Sequence, residues 1–156
     1  MPLSSTPKPW RYLGLMEGGR IEIVVMPGRK PLALRLDLWN HSPSGFAWGY
    51  AGSGPAQTAL AILAHFLRSS DPDECGQVND AVAVQLHQLF KRRLIAALPA
   101  SWDLSSRVVE EFIQMHIRHT HQIPIDWVLW RASILERGLL KELAGKAVIR
   151  PKGRQA

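Results

Sequence analysis

The chain has 156 residues, enough for one ordinary domain that buries about two-thirds of its unfolded surface. Its 46% hydrophobic and 21% charged content excludes a disordered chain, and no apolar run reaches the roughly 20 residues that span a bilayer. A net charge of +6 with a pI near 10.0 makes acidic partners the natural expectation.

In chain order, residues 1–9 (Met1-Pro-Leu-Ser-Ser-Thr-Pro-Lys-Pro9) lack a hydrophobic signal core and read as a flexible proline-rich arm. A single α+β domain is expected over 10–145, followed by a basic tail, 146–156. Trp10–Met16 and the β-branched run Ile21–Met26 flank Glu17-Gly-Gly-Arg20, the pattern of a hairpin. Leu32–Leu38 alternates leucine with Ala33, Arg35 and Asp37, which predicts a third, half-buried strand. Phe46, Trp48 and Tyr50 alternate with Ala47, Gly49 and Ala51, which predicts a strand with one aromatic face. No helix separates these segments, so a small antiparallel sheet of three to four strands is expected.

Three to four helices should follow and pack on that sheet. In the first, Gly52 and Gly54 are expected to supply positive φ and Pro55 to occupy the first helical position. Ser53 or Gly54 would be the N-cap, with Gln57 reaching back to it. From Ala56 to Leu67 the only polar side chains are Gln57, Thr58 and His65, so this helix should be buried on most sides, at the centre of the fold. Val78–Ala97 sets Val82, Leu86, Leu89, Phe90, Leu94 and Ile95 on one stripe and ends in Lys91-Arg92-Arg93. A third helix starts at Leu104-Ser105, with Ser105 as cap and Leu104 and Val109 as a hydrophobic staple. A last one is expected over about 126–144.

Candidate chemistry is sparse. Gly52, Ser53, Gly54 and Gln57 form a glycine turn at a helix start, an anion site in principle. No Gly-Lys-Ser/Thr follows, and Gly-x-Ser-x-Gly does not match, so a purely structural turn is the competing reading. Lys91, Arg92 and Arg93, with Lys146, Arg150, Lys152 and Arg154 in the tail, are candidate contacts to phosphates or to an acidic protein surface, set against a plain solvated face. Trp127 and Trp130 are interface anchors if exposed and core residues otherwise. His116, His119 and His121 are the one metal-like cluster. With no fourth ligand and no Cys beside them they read as exposed imidazoles, and no metal or cofactor is assigned. Cys75, among acids, is no nucleophile but fits a reducing, cytoplasmic setting. His65 and Asp37 are the only acid–base groups near the glycine turn, and no catalytic set can be assembled from them.

The run from Ser42-Pro43-Ser44-Gly45-Phe46 through Trp48-Gly49-Tyr50-Ala51-Gly52-Ser53-Gly54-Pro55-Ala56-Gln57 to Leu60-Ala61-Ile62-Leu63 resembles the signature of a small prokaryotic domain family of unknown function. Gln88-Leu89-Phe90-Lys91, Ala97-Leu98-Pro99 and Trp102-Asp103-Leu104 extend the resemblance over roughly 38–113. Ala51 stands where glycine is expected, and His87 where tyrosine is more usual, which weakens any role for a phenol there. The resemblance implies a setting on bacterial, archaeal, phage or plasmid genomes and supplies no mechanism. The expected function is a non-enzymatic accessory protein that binds a macromolecule, nucleic acid or an acidic protein surface, through its basic faces. A protein inhibitor of host defence machinery, and a small enzyme holding a phosphate-bearing ligand at residues 52–57, are the alternatives.

Overall fold

Two β-rich runs joined by Gly18-Gly19, both at positive φ (52° and 80°), can reverse tightly without a Cβ clash. In the computed structural model, which describes residues 9–70 and 76–117, they form the expected hairpin of β1 (Arg11–Glu17) and β2 (Arg20–Met26). The sheet has four strands in the order β3-β2-β1-β4, all antiparallel, so the chain is an α+β protein. The two outer strands are short: β3 is Lys30–Pro31 and β4 is Trp102–Ser105.

Neither outer strand is where alternation placed it. The Leu32–Leu38 pattern breaks at Arg35, which takes positive φ (58°), and residues 36–38 form a turn closed by Leu38 N–H donating to Arg35 O at 3.1 Å. Arg35 is held there by ion pairs to Asp37 (2.9 Å) and Asp80 (3.0 Å), and Arg68 joins Asp80 from the other side at 2.8 Å. The aromatic run 46–50 is no strand either. Gly45 (φ 140°) and Gly49 (φ 88°) bend it, and its rings part company: Trp48 is buried while Tyr50 is 53% exposed.

Three helices complete the described fold: α1 (Ser53–Ser69), α2 (Gly76–Arg93) and α3 (Ser106–Ile117). As expected, α1 is the centre of the core, with Leu60, Ile62, Leu63 and Leu67 fully buried. Its start differs from expectation. Gly52 is the N-cap with extended backbone (φ −153°), no side chain caps the helix, and Pro55 falls at the third helical position. Neither Gly52 nor Gly54 uses positive φ; Gly54 is required by close approach, since a Cβ there would lie 2.5 Å from the Ala47 Cβ. At α3 the expectation holds. Ser105 Oγ accepts from Arg107 N–H at 3.1 Å, and Leu104 and Val109 are both buried. The long stripe of α2 ends sooner than its period implies, because the backbone tightens into a 3₁₀ turn at Ile95–Ala97.

The loop 32–52 contains no regular structure and would leave many backbone groups unpaired. Two buried polar residues of α1 prevent that. Gln57 Oε1 accepts from His41 N–H (2.7 Å) and Ser42 N–H (3.0 Å), while its Nε2 donates to Leu34 O at 2.8 Å. Thr58 Oγ1 accepts from Ala47 N–H (3.2 Å) and donates to Ala47 O (2.8 Å). Gln57 thus serves the loop rather than the helix cap.

Candidate functional site

The loop tethered by Gln57 carries its chemistry to the C-terminal half of α2. His41 faces His87, with the two Nε2 atoms 2.9 Å apart. His87 is 1% exposed and its Nδ1–H donates to Val84 O at 2.6 Å, so its Nε2 is the acceptor and His41 carries the shared proton. The Trp39 ring, half exposed, lies parallel to His41 with centroids 5.0 Å apart and 8° between planes. One turn along α2 from His87, Lys91 stands close enough to disfavour protonation of both imidazoles. Arg92 and Arg93 follow, exposed, at the end where cations complement the helix dipole. Among the described residues no ion pair engages Lys91, Arg92 or Arg93, whereas Arg11, Arg29, Arg35 and Arg68 are all paired with carboxylates.

Burial, more than charge, sets the protonation of the histidine pair. It lowers His41 and pushes His87 from 6.5 down to about 4, with Lys91 adding to both and the bond to Val84 opposing at His87. An unfolded chain takes up a proton at His87 as pH falls through 6.5, and the folded chain refuses it until about 4. Stability from this group is therefore complete above the unfolded value and is lost as pH falls toward the folded one, on the order of 3 kcal/mol in all. Urea unfolding compared at about pH 7.5 and pH 4.5 should show that loss, with a shallower dependence in His87→Gln. Equal steepness in the two proteins would remove His87 as the cause.

A second cluster joins α1 to the sheet. Trp10 Nε1–H donates to the Tyr12 hydroxyl (2.8 Å), which in turn lies 2.8 Å from His65 Nδ1, and His65 Nε2 lies 3.3 Å from Ser69 Oγ. Burial pushes the Tyr12 phenol well above its ordinary value, so it keeps its proton and donates to His65. That places the imidazole proton on Nε2, facing Ser69. The histidine is a donor to the serine, not a base for it, and the arrangement is not a nucleophilic pair. Asp37 is exposed and bonded to Arg35, far from acid–base duty.

The glycine turn opens on a cleft of about 570 Å³, lined by Ser42, Ser44, Phe46, Tyr50, Ser53 and Gly54 among others. Of the four residues singled out from the turn, Ser53 and Gly54 border this cleft. Gln57 is fully buried and its amide is committed to the loop. Trp127, Trp130, Lys146, Arg150, Lys152 and Arg154 lie outside the described residues, as do Cys75, His119, His121 and the expected last helix. His116 packs on Phe112 in α3. Among the described residues no group of three or more metal-ligating side chains converges, and no helix is long and apolar enough to cross a membrane. Trp39 and His41 follow the expected strand 32–38 and carry little signal in the sequence; the single cue is an aromatic two residues before a histidine.

Fold and site together define a small α+β protein in which one buried helix suspends a long loop beside a basic helix end. A family model described as a family of unknown function, DUF6166, matches residues 12–115, two-thirds of the chain, and the protein belongs to that family. No curated protein and no solved structure matches it.

Proposed function

We propose that the protein is a non-enzymatic binder of single-stranded nucleic acid, contacting it with Trp39 and the C-terminal end of α2. The carrying observation is the half-exposed Trp39 ring, stacked on His41 near Lys91, at the end of α2 where Arg92 and Arg93 are exposed and, among the described residues, in no ion pair. An exposed aromatic face offers a platform for any base, and free cations beside it track the backbone; together these are the two parts of sequence-tolerant single-strand binding. A rigid platform suits the task. His41 backs the Trp39 ring, and Gln57 holds the His41 backbone from the core. The basic tail would add phosphate contacts of the same kind.

The test is a salt series with unlabelled oligo(dT) and oligo(rU), read by tryptophan fluorescence over about 50–200 mM salt. Changing Lys91, Arg92 and Arg93 together to Ala should flatten the salt dependence by a slope of about 2, at roughly 0.7 per lost phosphate contact. Trp39→Ala should cost about 1–3 kcal/mol with little change in that slope. Binding that ignores both changes, or none at physiological salt, overturns the reading. A protein copurifying with the chain in that case would favour an acidic protein partner, in line with an inhibitor role.

One observation supports a second reading. The N-terminus of α1 has no side-chain cap and opens on the 570 Å³ cleft, a setting suited to a phosphate-bearing ligand. Chemical shift changes at Ser53 and Gly54 on adding inorganic phosphate or a mononucleotide would support it, and unchanged shifts would dismiss it.

A further inference from the structure

We propose that His41 and His87 form a two-imidazole site for a divalent transition metal ion of the zinc, nickel or copper class, with its remaining positions taken by water. The two Nε2 atoms face each other at 2.9 Å. Two nitrogens on one ion at bond lengths of about 2.0–2.1 Å stand roughly 2.9–3.4 Å apart, so the spacing already suits a metal, and a turn of the rings off their common axis would aim both lone pairs at it. The proton between the rings must first move. It belongs to His41, whose partly buried ring can carry it on Nδ1 instead and so turn a second lone pair inward.

The surroundings are those of a supported ligand pair. His87 is oriented by its Nδ1–H bond to Val84 O (2.6 Å), the outer contact that fixes a metal-binding imidazole and aims its Nε2. His41 is fixed by Trp39 stacked on its ring and by Gln57 Oε1 on its backbone N–H at 2.7 Å. The Gln88 amide lies 3.4 Å from His87 Nε2 and, turned over, presents its oxygen to the same point. Lys91 works against a cation, and with two protein ligands the affinity is modest. The site stands independently of nucleic-acid binding, because neither the cations of α2 nor the exposed face of Trp39 is needed to hold the ion.

The experiment uses the untagged full chain carrying His116→Gln, His119→Gln and His121→Gln, titrated separately with zinc, nickel and copper ions. One ion per chain is expected, quenching tryptophan fluorescence for nickel and copper. His41→Gln in that background, with an unchanged circular dichroism spectrum, should weaken binding by about tenfold or more. In the unaltered protein, one equivalent of zinc should shift the ring resonances of His41 and His87 ahead of those of His65. Affinity equal with and without His41, binding that needs millimolar metal, or zinc shifts confined to other histidines would each overturn the proposal.

Discussion

Gln57→Leu should lower folding stability by about 4 kcal/mol, a large share of a margin that is only about 5–15 kcal/mol in whole. The side chain is fully buried, and leucine fills nearly the same space. What disappears is the acceptor for His41 and Ser42 N–H and the donor to Leu34 O. Each buried group left without a partner costs about 1–3 kcal/mol, and partial rehydration of the loop keeps the total below the simple sum. Gln57→Glu sharpens the test: it keeps both acceptor contacts but sets a carboxylate oxygen against Leu34 O and buries a charge, so it too should be destabilising. Urea unfolding measures both. A loss under about 1 kcal/mol for Gln57→Leu would mean that the loop is held by something else. Because Gln57 fixes the His41 backbone, folded Gln57 variants should also lose binding that depends on Trp39.

Gly14→Val is expected to be at least as damaging, for a steric reason. A Cβ at Gly14 would stand 2.1 Å from Cε2 of Trp102, well inside contact distance, and the obstruction is an indole rather than a flexible tip. Gly14 and Trp102 are register partners across β1 and β4, so the glycine is the space in which the indole lies. Trp102 is buried and meets Trp48 edge to face at 5.3 Å. Expelling it loses an aromatic core contact and loosens β4, a loss of about 3–5 kcal/mol or more. Near-ultraviolet circular dichroism should collapse before the far-ultraviolet signal does. Gly14→Ala combined with Trp102→Leu should cost less than the two single changes summed, a coupling of about 1–3 kcal/mol between neighbours. Strict additivity in that cycle would show that the two residues do not share the space. Trp102→Phe should be mild for a tryptophan deletion, since the Trp102 Nε1–H is buried without an acceptor among the described residues.

The parts of this fold that sequence revealed are those whose signal is local and repeated. The hairpin has β-branched runs and a glycine pair between them. The helix α1 shows its burial in the near absence of polar residues, and the few exceptions proved informative: Gln57 and Thr58 hold the loop, and His65 holds β1. What those residues bond to was not legible, because the partners lie up to 53 residues away, as Tyr12 does from His65. Alternation misled in two places for the same cause. Leu32–Leu38 and 46–50 have the period of strands, but Arg35, Gly45 and Gly49 take backbone angles that strands do not; long-range bonds to Asp80 and Ile95 fix Arg35 and Gly49, and a local turn to Ser42 fixes Gly45. The strand β4 has four residues, too few to show a period, and its tie to β1 is a matter of topology. The histidine pair is the extreme case. His41 and His87 come from a loop and a helix 46 residues apart, and neither has a neighbour in sequence that announces the other.

The pairing of β1 with β4 imposes an order of events on synthesis. Trp10 N–H meets Ser106 Oγ across 96 residues, and Arg11 pairs in register with Ser105. At about 5–20 residues per second, the ribosome takes several seconds to some twenty seconds between making β1 and delivering its partner. Throughout that interval the strand that will be interior keeps one row of backbone groups unmatched, an edge open to other nascent chains. The hairpin can form early, but the sheet closes only when nearly the whole matched region has been translated. A polypeptide interrupted before Trp102 would retain most of the helical core's sequence and yet display a sticky strand, so quality control should treat it as a hazard rather than as a domain.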